Sequence, residues 1–483
     1  MTKNNVRADG RRRFLRDTIT VAGGSAILGS SMLWPRPGFA QDPPGGCPNP
    51  PSGGTPFQPG QDQRPIVVRK FISSLTSAEL TTLQNAFSAL RGLGSNDPRT
   101  WVLQADIHAL YCQQCANDTT QIHFMWNFFP WHRCYLYYYE RILGSLVGDL
   151  DHFRLPYWDW ESFRSLPSPY RTPAATTNTL WDTNRNGGMQ AGGKLPVNDG
   201  SQSRLNLLYG TQDFATFGGT LGAAGSCEGN PHGVIHNDVG QPYPILQDMG
   251  DLGFAARDPI FFAHHANIDK VWSHWNGLAK STLPPTAYKN PTDPAFLNAR
   301  WSFYDENSKV VSISAADVLD HESNLRYTYR AFIFRFPQIY EIIPCRLICC
   351  DPGPLHEPFL QFEEAERTKV AELTREHATV ALVLKEVEIP PGVTGTFEIH
   401  AIRGEQKLLL GRFGIVGEKG NREKDKARRM TLLLDASSAV PSLIARKQPA
   451  TLRLRGVTRG AKQFKLVAES AELRITRPAQ KER

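Results

Sequence analysis

Apolar residues recur at helical spacing in four stretches: from Ser77 (SAELTTLQNAFSALRGL), over 97–112, over 130–147 and over 258–275. Three of them carry opening signals. Asp97-Pro98 and Asp258-Pro259 each set a capping carboxylate before a proline at the first helical position, and Pro130 opens the third. Between about 163 and 225 the pattern dissolves into a long connection rich in Gly, Thr and Asn, a length that usually frames a functional surface. Near Cys345 the period changes. TVALVLKEVEI, GTFEIHAI, KLLLGRFGIV, RMTLLLDA, TLRLRGV and AELRITR read as short strands, spaced as in an antiparallel β-sandwich of about 120 residues. No repeat at solenoid or propeller period is visible, so the expectation is a helical domain followed by a β domain.

The chain has 483 residues, 40% hydrophobic and 10% aromatic, which fits a globular protein with a sizeable core. Its formal charge of +7 is misleading. Residues 1–40 hold seven basic and two acidic side chains, so the remainder carries only about +2 and offers no footprint for nucleic acid. RRRFLR, from Arg11 to Arg16, is a twin-arginine pattern; a modestly apolar stretch from Ile19 to Trp34 and a small-residue site at Gly38-Phe39-Ala40 follow it. The expectation is an exported bacterial protein, carried already folded by the twin-arginine (Tat) machinery and delivered to the periplasm or beyond. The expected parts are a signal peptide over 1–40, a Pro/Gly-rich arm over 41–65, a helical domain over 66–344, a Cys-containing linker over 345–360 and a β domain over 361–483. Eight cysteines occur without any CxxC…CxxC pair, which argues against a structural zinc site and leaves disulfide connectivity open.

Placement of the histidines changes the picture. His108 lies in DPRTWVLQADIHALYC, and His123 and His132 flank an aromatic run, IHFMWNFFPWHRCYLYYYERIL. His232 and His236 occur as PHGVIH, an i, i+4 pair that shares one helical face and can grip one ion. His264 and His265 are adjacent, so on a helix they point about 100° apart and cannot both face one point. Phe261, Ile268 and Trp272 share the face of His265, while Ile260, Ile268 and Val271 flank His264, so spacing alone does not choose between them. Two groups of three imidazoles suit copper or zinc. Glu-x-x-His is absent near these sites, which disfavours a di-iron centre.

These motifs, with LPYWDW and DMGDLGFAARDPIFFAHHANIDKVW, resemble those of the type-3 copper polyphenol oxidases, the tyrosinases and catechol oxidases, in their plant-like pattern. The resemblance runs from RPIVVRK at Arg64 to about Tyr329. It implies a mainly α catalytic domain, an antiparallel four-helix bundle around a binuclear copper site, with the β-sandwich as a C-terminal shield over the copper mouth. It implies His108, His123 and His132 on one copper, and His232, His236 and His265 on the other, with His264 as a neighbour. It further implies a thioether from Cys112 to the His123 ring, O2 as co-substrate, and small phenols oxidised to o-quinones. O-diphenols are the expected substrates, with monophenols and o-aminophenols as further candidates.

Around those ligands the resemblance marks Phe261 as an aromatic packed under the site; Asp269, one turn after His265, is expected either to support a ligand or to serve as a structural carboxylate. Glu228 stands where the family has a water-ordering glutamate. Its usual asparagine partner is replaced by Gly233, which weakens the case for monophenol hydroxylation, although Asn237 is a partial substitute. Leu252 stands where a phenylalanine often covers the entrance, and implies a more open mouth. Tyr327 and Tyr329 would close the domain near Arg69 or another arginine of the N-terminal arm. The rival readings are a hemocyanin-like O2 carrier without catalysis and, on zinc, a hydrolase.

Overall fold

The computed structural model describes residues 51–112, 121–241, 247–279, 283–330, 339–349, 357–375, 378–417, 427–458 and 460–477. The twin-arginine segment, Cys47, Cys115 and Cys350 lie outside these residues. Among those described, no helix is long and apolar enough to cross a membrane.

Helix α1 (Ser77–Arg91) opens on a reciprocal cap, in which the Thr76 hydroxyl accepts from the Glu79 N–H and the Glu79 carboxylate accepts from the Thr76 N–H. It buries Leu83, Ala86, Phe87 and Leu90, one stripe at helical spacing. Helix α2 (Trp101–Leu110) follows. Helix α3 (Phe128–Leu146) begins two residues before the expected Pro130. The proline is tolerated there because the first helical N–H groups have no intrahelical partner to lose. Its consequence is that His132 sits in the second turn, not the first. Helix α4 (Val234–Val239) is short, and α5 (Ile260–Asn276) starts where the Asp258 carboxylate accepts the Ile260 N–H. Helices α3 and α5 are buried on nearly every face and pack on each other, with α1 against α3. That placement follows from their aromatic and aliphatic content all round the cylinder.

The long connection holds short helices, among them Gln202–Tyr209 and Phe214–Phe217. The N-terminal residues pair in two places: Thr55–Pro56 of the arm alongside Val311–Ser312, and Val67–Val68, just after it, alongside Tyr327–Thr328.

Eight strands form the C-terminal part: β1 (Ile339–Cys349), β2 (Pro358–Gln361), β3 (Thr379–Ile389), β4 (Gly395–Arg403), β5 (Gln406–Ile415), β6 (Arg428–Asp435), β7 (Thr451–Gly456) and β8 (Ser470–Arg477). They pair antiparallel in the order β5-β4-β7-β2-β1-β8-β3-β6. The expected two separate sheets are joined into one, because β1 is long enough to pair with β8 over Ile339–Cys345 and with β2 over Arg346–Cys349. The strand also begins before residue 345, so the linker expected from there is partly sheet.

Strand β3 shows how this sheet meets the helices. Val380 to Leu384 are all buried, yet they alternate in destination. Ala381 and Val383 join the helical core, with Leu433 of β6, while Val380, Leu382 and Leu384 join the core inside the sheet. Burial on both faces is why the sequence shows an unbroken apolar run there. Residues 47–483 form one compact unit.

Candidate metal centre

Four segments bring six of the sequence-marked histidines together, all of them buried. His108 comes from α2, His123 from the loop before α3, and His132 from α3. Their ring centroids are 5.2 to 5.5 Å apart. His232 and His236 come from a widened turn, Glu228–Gly233, running into α4, and His265 from α5. Those rings lie 4.5 to 5.6 Å apart. The two groups face each other: the rings of His132 and His265 stack at 4.2 Å, and those of His123 and His232 lie 6.0 Å apart.

Backbone carbonyls fix how three of these rings present themselves. His132 Nδ1 donates to Phe128 O at 2.7 Å, His232 Nδ1 to Glu228 O at 3.1 Å, and His236 Nδ1 to Met249 O at 2.8 Å. A carbonyl can only accept, so each Nδ1 carries the proton and each Nε2 keeps its lone pair. The Nε2 atoms of His123 and His232 are buried with no hydrogen-bond partner, the state expected of nitrogens that wait for a metal. The others crowd together: His108 Nε2 is 3.4 Å from His132 Nε2, and His236 Nε2 is 3.3 Å from His265 Nε2. Burial, reinforced by neighbouring histidines, holds the rings neutral. His132 is pushed down to about 3 and His236, by burial, to about 4, with the other four well below the ordinary value. Neutral imidazole is the ligand form, so the donor set fits two borderline metal ions.

His264 adjoins the second group. Its ring lies 5.1 Å from His236 and 5.7 Å from His232, with both nitrogens unpartnered, and its nitrogens group with those of His232, His236 and His265. The Phe261 ring lies 4.2 Å from His265 and 5.0 Å from His108. Phe128 was missed. Its ring lies 4.8 Å from His132 and 4.7 Å from His232, between the two groups; the aromatic run around it was the available signal. Cys112 Sγ lies 3.6 Å from His123 Nδ1 and also 3.6 Å from His108 Nδ1, and donates to His108 O at 3.1 Å.

Asp269 is in a different place from the cluster. It binds Arg133 Nε at 2.6 Å and Arg69 Nη1 at 3.2 Å and accepts from the Tyr327 and Tyr329 hydroxyls. Although burial opposes ionisation, the two arginines hold its carboxyl at about 2. This knot joins α5, α3, the residues just after the arm and the segment that closes the helical region, and none of its hydrogen bonds or ion pairs runs to the six rings.

Glu228 is buried. Its Oε1 accepts from the Phe124 N–H at 2.7 Å, its Oε2 has no partner, and burial pushes the carboxyl up to about 8. Asn237 does not reach it; that amide donates to Thr396 Oγ1 of β4 at 3.3 Å. Leu252 is buried. It lines a small cavity with His123, Phe124, Glu228, His232, Gly414, Val416 and Met430. Gly414 and Met430 belong to the C-terminal sheet and Val416 follows directly on β5, so the mouth that leucine was expected to widen is covered. Leu252 N–H donates to Gly417 O at 2.9 Å, Ala224 N–H to Arg429 O at 2.9 Å, and Arg474 pairs with Asp213 at 2.6 Å.

Residues 98–197 and 171–278 match the common central domain of tyrosinase, and residues 290–335 the polyphenol oxidase middle domain. The crystal structure of the Grenache (Vitis vinifera) polyphenol oxidase is 30% identical with a TM-score of 0.52, covering 61% of this chain and 95% of that one. The chain belongs to the polyphenol oxidase family. Within that family the latent-form chloroplastic polyphenol oxidase of Prunus armeniaca is 36% identical over 288 residues, 53% of this chain and 47% of the relative. The chain thus spans about half the length of the curated relatives it matches. Latent apple tyrosinase, at 22% identity, covers 87% of this chain and 98% of its own with a TM-score of 0.60, and shows the fold alone, C-terminal sheet included.

Proposed function

We propose that this chain is a polyphenol oxidase that oxidises o-diphenols to o-quinones with O2, and that its C-terminal sheet keeps it latent. The observation that carries the reading is the convergence of six neutral, buried imidazoles from four segments, set in a chain of this family. His108, His123 and His132 would hold one copper ion, and His232, His236 and His265 the other, with α2 to α5 as the bundle around them. The pair supplies the electron-accepting and O2-binding chemistry. The chain's own residues do the rest. Phe128 and Phe261 pack against the rings and exclude water, the carbonyls of Phe128, Glu228 and Met249 hold three rings in the metal-binding tautomer, and Glu228, whose burial favours the protonated carboxyl, is an acid–base group beside His232. Each catechol gives up two electrons and two protons, and O2 leaves as water.

A Cys112–His123 thioether would lose two hydrogen atoms to an oxidant and immobilise a ligand carried on a loop. A cross-linked peptide pair lighter by those two atoms is the expected mass-spectrometric result. Twin-arginine export to the periplasm or beyond belongs to the same reading, resting on residues 1–40.

The test is oxygen uptake by the copper-loaded chain with catechol, tyrosine and an o-aminophenol, before and after limited proteolysis near residue 350. Quinone absorbance that rises on trimming, fastest with catechol, is expected. Reversible O2 binding without product would replace the reading with an oxygen carrier, and a tyrosine rate rivalling catechol would overturn the inference drawn from Gly233.

A further inference from the structure

Strand β5 meets the histidine-bearing turn backbone to backbone. A Cβ on Gly233 would stand 2.5 Å from the Gly414 carbonyl oxygen, and a Cβ on Gly414 would stand 2.3 Å from the Gly233 carbonyl carbon and 2.4 Å from Val234 N. These separations are well inside van der Waals contact, and the obstacles are main chain, so no rotamer change relieves them. Neither glycine has φ in the left-handed region, so space and not backbone conformation demands glycine at both places. Four residues earlier the approach repeats, with a Cβ on Gly229 meeting Met430 Sδ of β6 at 2.6 Å.

The contact lies beside the candidate mouth. Gly233 follows His232 directly, and Gly414 and Val416 line the cavity with His123, His232 and Glu228. Polar groups hold β5 and its neighbour β4 down beside this contact. The Asn230 amide donates to Arg412 O at 2.9 Å, the Arg412 guanidinium pairs with buried Asp199, and Asn237 reaches Thr396.

We propose that the Gly233–Gly414 contact is the seat that sets the resting state of the chain. Two residues without side chains let β5 settle on the turn that carries His232, and a side chain at either position lifts the strand from the mouth. Gly233 thereby acts in regulation: the position where the family resemblance expects an asparagine is covered by strand backbone. The seat is a matter of packing; its effect on turnover rests on the oxidase reading above.

The experiment uses the full copper-loaded chain as Gly414→Ala, Gly233→Ala and, as a control in open space, Gly222→Ala. Amide hydrogen exchange is read over residues 406–417 and over the distant strand Ser470–Arg477, together with catechol oxidation before and after trimming. Both seat variants should exchange on the order of tenfold faster over 406–417 with 470–477 unchanged. Gly414→Ala should also raise the untrimmed catechol rate several-fold, while Gly222→Ala alters neither. Should Gly414→Ala loosen the whole sheet, Gly233→Ala, placed in the helical part, decides. Parent-like exchange over 406–417 in both seat variants overturns the seat. Loosened exchange with an unchanged untrimmed rate, in a chain that trimming does activate, overturns its regulatory role. Loosened exchange in a chain inert even after trimming supports the seat and sinks the oxidase reading instead.

Discussion

Replacing Asp269 by asparagine removes one charge from the knot that ties the His265 helix to the His132 helix, with little change of shape. A carboxyl held at about 2 against an ordinary 3.8 favours the folded, ionised form by about 2 kcal/mol. The amide also leaves its partners short of a counter-charge. Arg69 retains Glu140 at 3.0 Å, but Arg133 keeps only the Val318 carbonyl at 3.1 Å and the Trp272 face at 3.8 Å. Breaking a buried pair in this way costs about 3–5 kcal/mol. For the compact unit of residues 47–483 the unfolding entropy is roughly 0.9 kcal/mol/K, so the midpoint of thermal unfolding should fall by about 4 °C. The pH dependence adds a second check. Because folding depresses this carboxyl, its contribution is complete above pH 3.8 and disappears as pH falls toward about 2. Circular-dichroism melts of both proteins should therefore differ fully at pH 6 and converge below pH 4. Midpoints within about 1 °C at pH 6, or a gap that persists unchanged to pH 2, would refute the assignment of Asp269 to structure.

The metal-free chain should lose stability as pH falls from 6.5 toward 4, since its buried histidines stay neutral while the unfolded chain protonates. His236, held at about 4, contributes roughly 3 kcal/mol of that loss, and urea titrations that are flat over this window would contradict it. Phe261→Ala, which empties a fully buried position against His265 and His108, should cost about 3–5 kcal/mol in urea unfolding and lower the copper content per chain. In the metal-free chain a pH titration of the buried carboxyl's infrared band should bend near 8, where the Glu228 carboxyl ionises, and trimming should move the bend downward by admitting water. Glu228→Gln should abolish it; an unaltered bend in that variant assigns the ionisation elsewhere.

The histidines of the cluster were legible because candidate ligands leave a local trace, an i, i+4 imidazole pair and rings set in or beside aromatic runs. The change from a period near 3.6 to a period of 2 marked the C-terminal strands for the same reason: both are properties of neighbours along the chain. His264 and His265 could not be separated by spacing, since adjacent residues in a fully buried helix both meet core, and the structure keeps both rings in the cluster. Asp269 carries no sign in the sequence of whether it faces metal or arginine; Arg69, Arg133, Tyr327 and Tyr329 decided that by converging from far along the chain. The cover over Leu252 was equally illegible. Whether two glycines nearly two hundred positions apart touch depends on how one sheet docks on one turn, and docking is set by the summed shape of two surfaces. Periodicity and side-chain chemistry are written locally in this protein, whereas the closure of its mouth belongs to long-range packing alone.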